Sequence, residues 1–251
     1  MPRRLVGRIR DQLGSVRRVY LGRDLVNRRD DFADYPEVVL LLHGFFQTRN
    51  IWDVMEDRLR FDGYGVMSFN LAGPLWRFNT EPVDRTARLI GQKVEALAAE
   101  HGFERVHVIG HSKGGLIARR YIQRYGGARR VKSLTTLGTP HHGTPTAALA
   151  LPVFAVGTSL RDLLPRSALI RELRDERVPR HIPLTSIYSR TDLICPWWCS
   201  VLRPAPDEEH LSNIEVPGVG HSELAWHPGV YREVRRCLDL ASDAAPEGTA
   251  G

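Results

Sequence analysis

The chain has 251 residues, enough to bury a core of its own in one larger domain, and its 42% apolar and 25% charged residues are the balance of a soluble globular protein. Its formal net charge of +6 is carried almost wholly by arginine, since Lys93, Lys113 and Lys132 are the only lysines. The arginines fall as singles and pairs with no nucleic-acid motif among them, so they read as a solvated surface and argue against a nucleic-acid partner.

The start, Met1-Pro2-Arg3-Arg4, lacks the apolar run of about 7 to 15 residues that a secretory signal needs. No stretch approaches the roughly 20 apolar residues of a membrane span. A cytoplasmic location is expected. Residues 3–19 carry Leu5, Ile9, Leu13 and Val16 at helical spacing among arginines, which predicts a basic amphipathic helix inside an N-terminal segment, residues 1–37. Its apolar face is expected to pack on the domain, with contact to a membrane surface or a partner as the alternative.

From residue 38 the pattern alternates. The apolar run 38–42 predicts a strand buried on both faces and stops at His43-Gly44-Phe45-Phe46. A helix follows over 51–59, entered through Asn50, then a strand over 65–69 and a helix over 82–100 that His101-Gly102 ends. The next strand, 106–109, runs into Gly110-His111-Ser112-Lys113-Gly114-Gly115, and a helical pattern with Leu116, Ile117, Tyr121 and Ile122 begins at once. Residues 131–137 predict another strand, which ends at Gly138-Thr139-Pro140-His141-His142-Gly143. Strands alternating with helices in this order imply an α/β fold, a doubly wound and mostly parallel sheet with its functional loops at the carboxyl ends of the strands.

Residues 144–180 change character, apolar without strand alternation and then helical around Leu160, Leu163, Leu164, Leu169, Ile170 and Leu173. They predict an inserted helical cap whose apolar face covers the carboxyl edge of the sheet and roofs a pocket there, either as a fixed cap or as a mobile lid. Strands are expected over 182–188 and 214–216, a closing helix over 222–240 and a disordered tail over 241–251. The main domain would then span 38–240, as a monomer.

The spacing Gly110-x-Ser112-x-Gly114 is what a nucleophile elbow needs, because a serine on so sharp a turn tolerates only small neighbours. A serine hydroxyl is a poor nucleophile until a base takes its proton, and that base needs a carboxylate to fix its tautomer and stabilise its cation. His221, between the last strand and the closing helix, fits as the base better than His181, His210 or His227. Asp192, just past the strand over 182–188, fits as the acid better than Asp207, which lies in a polar loop. The oxyanion needs two donors, and the backbone amides of Phe45 and Lys113 are suitably placed, with His43 shaping the loop. No metal or cofactor is expected: His141 and His142 are adjacent, not one turn apart, and Cys195 with Cys199 has no zinc-type histidine partner. Three sparse cysteines do not make a disulfide framework, though a sharp turn at 196–198 would let Cys195 and Cys199 meet. Trp197 and Trp198 would either line a pocket or pack.

Taken together, His43-Gly44-Phe45, the Ser112 elbow, Gly138-Thr139-Pro140-His141-His142-Gly143-Thr144, the Asp192 segment and Gly220-His221 resemble the bacterial lipases and esterases of the alpha/beta hydrolase superfamily. The order Ser112, Asp192, His221 is also the order of that superfamily. The resemblance implies hydrolysis of carboxylic esters, often acyl glycerols, with a small-molecule or lipid ester as the partner. Lys113 stands where the family often has methionine. The same acyl-enzyme could be passed to an alcohol or drawn from a thioester, and a binding protein on this scaffold is the rival from another class.

Overall fold

The computed structural model describes residues 32–71, 79–151 and 159–243. Six strands form one sheet in the order β2-β1-β3-β4-β5-β6, and every neighbouring pair is parallel. The strands are β1 (Val38–Leu42), β2 (Gly65–Ser68), β3 (Val106–His111), β4 (Val131–Leu137), β5 (Leu184–Tyr188) and β6 (Leu211–Glu215). Between them run α1 (Asp53–Phe61), α2 (Val83–His101), α3 (Lys113–Arg124), α4 (Gly127–Arg130), α5 (Thr146–Ala150), α6 (Ser159–Asp162), α7 (Ala168–Asp175) and α8 (Trp197–Ser200), with α9 (Pro228–Asp243) last.

The unbroken apolar run of β1 works because successive side chains point to opposite faces and both faces are covered. Val38, Leu40 and Leu42 join one core with Ala87, Ile90 and Val94 of α2 and Leu116, Ile117 and Tyr121 of α3. Val39 and Leu41 join the other, with Trp52, with Met55 and Leu59 of α1 and with Val230, Val234 and Leu238 of α9. The strand order reverses direction at the neighbours β1 and β3, the switch point at which such sheets open a crevice beyond the strand ends.

The inserted segment packs into the first core: Leu160, Leu163, Leu169, Ile170 and Leu173 are buried there. Two arginines of α3 fasten it. Arg120 reaches Glu172 at 2.7 Å and Asp84 at 2.7 Å, while Arg119 donates to the carbonyl of Leu173 at 2.5 Å. In the sequence these leucines look like the lining of a roof, but their partners are the sheet-covering helices.

Several boundaries differ from expectation, among them β6, which begins at Leu211 and not at 214. The packed domain includes Phe32, which is buried edge-on to His101 and Phe103, so it begins before residue 38. The closing helix starts at Pro228 after a separate turn, Ser222–Ala225, because proline has no N–H to give a helix interior and suits its first turn. It runs on through Asp243, with Ala241 buried in its apolar stripe, so small residues that suggested a tail are helix. The expected amphipathic helix over 3–19, the tail from 244 and the apolar stretch 152–158 lie outside the described residues. Among those described, no helix is long and apolar enough to cross a membrane.

The turn from β3 into α3 passes so close to β1 that a Cβ added at Gly114 would lie 2.0 Å from the carbonyl oxygen of Leu42. The obstacle is backbone, which cannot swing aside. Gly114→Ala is therefore expected to cost about 3 kcal/mol, at the upper end of overpacking, and to lower the melting temperature by roughly 6 to 12 °C or prevent folding. Thermal unfolding followed by circular dichroism checks it, and an unchanged melting temperature would contradict the close approach.

Candidate active site

Register brings the site together. Leu42 of β1 pairs with Gly110 of β3, His111 of β3 with Leu137 of β4, and Leu137 with Ile187 of β5, so four adjacent strands end on one line. The segments that follow carry Gly44 and Phe45, Ser112, Gly138, and Asp192. Residues far apart in sequence become neighbours because parallel strands share a carboxyl edge.

Ser112 sits at φ 53° and ψ −124°, a conformation rare for a residue with a side chain. The surroundings hold it there: its N–H donates to the carbonyl of Leu137 at 2.9 Å, and its own carbonyl accepts from Thr139 Oγ1 at 2.9 Å. Gly44 lies against it, since a Cβ built on that glycine would come within 2.8 Å of Ser112 Cβ. Lys113 opens α3, where the first amides have no partner within the helix and the helix dipole favours negative charge.

Asp192 and His221 meet, with Nδ1 of His221 donating to Oδ2 of Asp192 at 2.7 Å. The other carboxylate oxygen accepts the amides of Ile194 at 2.9 Å and Cys195 at 2.8 Å. Asp192 is thus buried with both oxygens satisfied, aimed at the imidazole by its own loop. Gly138 lies beside the pair: a Cβ there would stand 3.0 Å from Asp192 Oδ2 and 3.2 Å from His221 Nδ1. Asp207, the alternative acid, is instead bonded at the surface to Arg177 at 2.7 Å and Arg180 at 2.8 Å. His181, His210 and His227 bond to backbone groups and touch no carboxylate of the site.

Contact with a serine and a carboxylate does not by itself mark a site. His107 also has both, Ser133 Oγ at 2.7 Å and Glu37 Oε2 at 3.2 Å. Those residues lie at the amino end of the sheet, and Ser133 is buried within β4 with no turn to expose it.

A buried polar layer beneath the site is not legible in the sequence. His111 stacks near the ring of His221, centroids 4.7 Å apart, and its nitrogens face Gln47 Oε1 at 3.0 Å and the carbonyl of His221 at 2.9 Å. Burial first, and then the neighbouring His221, hold His111 well below the usual imidazole range, so it is neutral and donates through one nitrogen. Gln47 Oε1 also accepts the amide of Gly44 at 2.8 Å, which ties the loop before Phe45 to the histidine beneath His221. The adjacency of His111 to Ser112 is the one signal that could have found it.

His141 and His142 point apart. His141 lies between Thr136 Oγ1 at 3.0 Å and Arg119 at 3.2 Å, and His142 faces the carbonyl of Val201 at 2.9 Å. Among the described residues, no group of three or more metal-ligating side chains converges. Cys195 and Cys199 are free thiols, and Cys195 contacts Ser200 Oγ at 3.2 Å. Trp197 is half-buried under Arg190, while Trp198 is exposed.

The sequence matches a family model for the alpha/beta hydrolase fold over residues 37–155. Triacylglycerol lipases from Pseudarthrobacter phenanthrenivorans and Burkholderia plantarii are each 33% identical to it over 124 residues, 47% of this chain. The match covers 37% of the first and 33% of the second, so the chain spans about a third of these curated relatives. Among solved structures, the mature form of a Bacillus licheniformis lipase aligns with a TM-score of 0.65 at 14% identity, over 87% of this chain and 96% of that one. Lipase B of Aspergillus fumigatus aligns with a TM-score of 0.68 at 17% identity, over 82% and 53%. At these identities the structural likeness speaks for the fold.

The two carboxylates separate by mutation. Asp192→Asn keeps the shape but loses the charge that would stabilise a His221 cation, and is expected to lower the turnover of an ester by about three to four orders of magnitude. Asp207→Asn removes a surface ion pair and should stay within about twofold of wild type. Turnover of both variants on one ester checks this, and a larger loss for Asp207→Asn would assign the acid wrongly.

Proposed function

We propose that this chain, which matches a family model for the alpha/beta hydrolase fold over residues 37–155, is a serine hydrolase that cleaves carboxylic esters of apolar acyl groups through a Ser112-Asp192-His221 triad. The observation that carries the reading is the 2.7 Å pair of buried Asp192 and partly buried His221, at the same strand-end edge as a serine held at positive φ between a strand and a helix. The likeness to triacylglycerol lipases over part of the chain supports an ester substrate.

In this reading His221 takes the proton of Ser112 as its oxygen attacks the ester carbonyl, and Asp192 stabilises the imidazolium that forms. The amides of Phe45 and Lys113 donate to the oxyanion. When the tetrahedral intermediate collapses, the carbon–oxygen bond to the alcohol breaks and His221 returns the proton to the leaving oxygen. Water then attacks the acyl-enzyme with His221 again as base, and the acid and free Ser112 are released.

The apolar acyl preference is supported by large side chains exposed on the segments that flank the triad: Phe46 after the oxyanion loop, Leu193 and Ile194 after Asp192, Trp198 on α8 and Leu149 on α5. Thr146 Oγ1, at the first residue of α5, donates to the carbonyl of Ile194 at 2.6 Å, which joins the inserted segment to the acid loop.

Two measurements on p-nitrophenyl esters of increasing acyl length test the proposal. Ser112→Ala is expected to fold as the wild type and to lose about four orders of magnitude or more in kcat, and to escape labelling by a fluorophosphonate. In the wild type, kcat/KM should rise from acetate to longer acyl chains, by up to about fourfold for each methylene that is buried. Turnover by Ser112→Ala near the wild-type rate would overturn the triad, and a preference for acetate would overturn the apolar acyl assignment.

A further inference from the structure

Lys113 follows the nucleophile, yet its side chain turns away from solvent and is fully buried. An ammonium has three donors and no acceptor. Here it has three oxygen partners: the carbonyl of Asn79 at 2.8 Å, the side-chain oxygen of Asn79 at 3.0 Å and the carbonyl of Glu81 at 2.5 Å. Asn79 carries the contact further, for its Nδ2 donates to the carbonyl of His43 at 2.8 Å. His43 is the last residue before Gly44 and Phe45. Asn79 holds a left-handed φ of 43°, so this bridge sits in a conformation its neighbours must maintain. The ring of Phe45 lies 6.0 Å from Nζ.

The start of α3 is thus bonded through one ammonium to residues 79–81, and through Asn79 to the backbone that leads into the Phe45 amide. We propose that Lys113 is a positioning residue, whose ammonium, bonded to Asn79 and Glu81, keeps the His43-Gly44-Phe45 backbone aligned with Ser112 so that the oxyanion receives its second donor. The inference rests on the reading of Ser112 as the nucleophile. With its donors already given to protein oxygens, the Lys113 side chain acts through Asn79 and has none left for the substrate.

Such a clamp depends on its proton. The partners of Nζ are neutral oxygens, and the charged groups that act on it are Asp162 of α6, which accepts from the amide of Val83 at 2.9 Å, and Glu81, which pairs with Arg85. Asp84 of α2 is engaged by Arg120 and Tyr125. Burial outweighs the help of Asp162 and Glu81 and draws Lys113 down to about 7. His43 does not compete as a switch in this range, because burial lowers it to about 4 and its Nε2 accepts from the amide of Leu71 at 3.0 Å. The clamp is therefore charged below about pH 7 and lost as pH rises through that value. A neutral amine has two donors and a lone pair, so one of the three oxygens then faces a lone pair.

The test is the pH profile of kcat and KM on p-nitrophenyl esters, from about pH 6 to about pH 9, for the full chain and two variants. Wild-type kcat is expected to fall about tenfold on the alkaline side with a midpoint near 7 and little change in KM, since the loop aligns a donor for the transition state. Lys113→Met should be low in kcat at every pH and lack the alkaline limb, whereas loss of stability alone would reduce the amount of active enzyme and leave the shape unchanged. Asp162→Asn removes a charge that favours the ammonium and should move the limb to lower pH. With only three lysines in the chain, a lysine-specific nitrogen label lets the Lys113 titration be followed directly by NMR, its signal identified by its absence in Lys113→Met. A Lys113→Met variant that keeps wild-type kcat, or keeps the alkaline limb, overturns the proposal. If that variant does not fold, a limb that stays in place in Asp162→Asn overturns it. Turnover that survives Ser112→Ala would instead fail the triad on which the proposal rests.

Discussion

The structure turns on how closely α3 crosses the end of β1. The first turn of the helix presses on the carbonyl of Leu42, and only a residue without a side chain at Gly114 leaves room. That approach sets the rest. It forces the chain to leave β3 through one sharp residue, which throws the Ser112 side chain outward at positive φ, and it points the amide end of α3 at the same spot. It also sets the Gly44 and Phe45 backbone against the serine, because both leave neighbouring strands at the same height. The turn is strained locally, and packing on both faces of the sheet is what holds it.

Beneath this edge lies a layer of buried polar groups that are mostly neutral. His43, His111 and His141 are all enclosed, and burial lowers each of them, so they serve as hydrogen-bonding struts for loops and carry no charge. His221 differs by its partner: it alone among the histidines at the carboxyl edge bonds to a buried carboxylate. Lys113 differs from these histidines in carrying a charge below about pH 7, and its ammonium is held by carbonyl and amide oxygens with no carboxylate in contact. Polar groups in so enclosed a place are costly unless satisfied, so the hydrogen bonds that this layer makes favour one arrangement of the loops above it.

The inserted segment illustrates why apolar composition does not fix location. Leu160 and Leu163 are as buried as residues of the sheet, while Leu149, Leu193 and Ile194 remain open to solvent. Both sets are leucine or isoleucine in helical or loop surroundings. Which of them meets the core depends on the arginines of α3 that hold α7 in place, and on the threonines that tie the Ile194 carbonyl to the segment.

What the sequence by itself determined is what local physics encodes: the alternation of apolar strands and amphipathic helices, the glycines flanking Ser112, and the ends of strands at His43, Ser112, Gly138 and Asp192. Such features need only neighbours along the chain. The order of the strands, and with it the meeting of Asp192 and His221 across the sheet edge, came from pairing between distant segments. The continuation of the last helix through Asp243 depended on Ala241 finding a core to pack on. The bridge from Lys113 through Asn79 to His43 was likewise beyond reach, since a lysine in a sequence reads as solvated charge. Only the fold encloses it, and enclosure is what turns its charge from a surface property into a bond between loops.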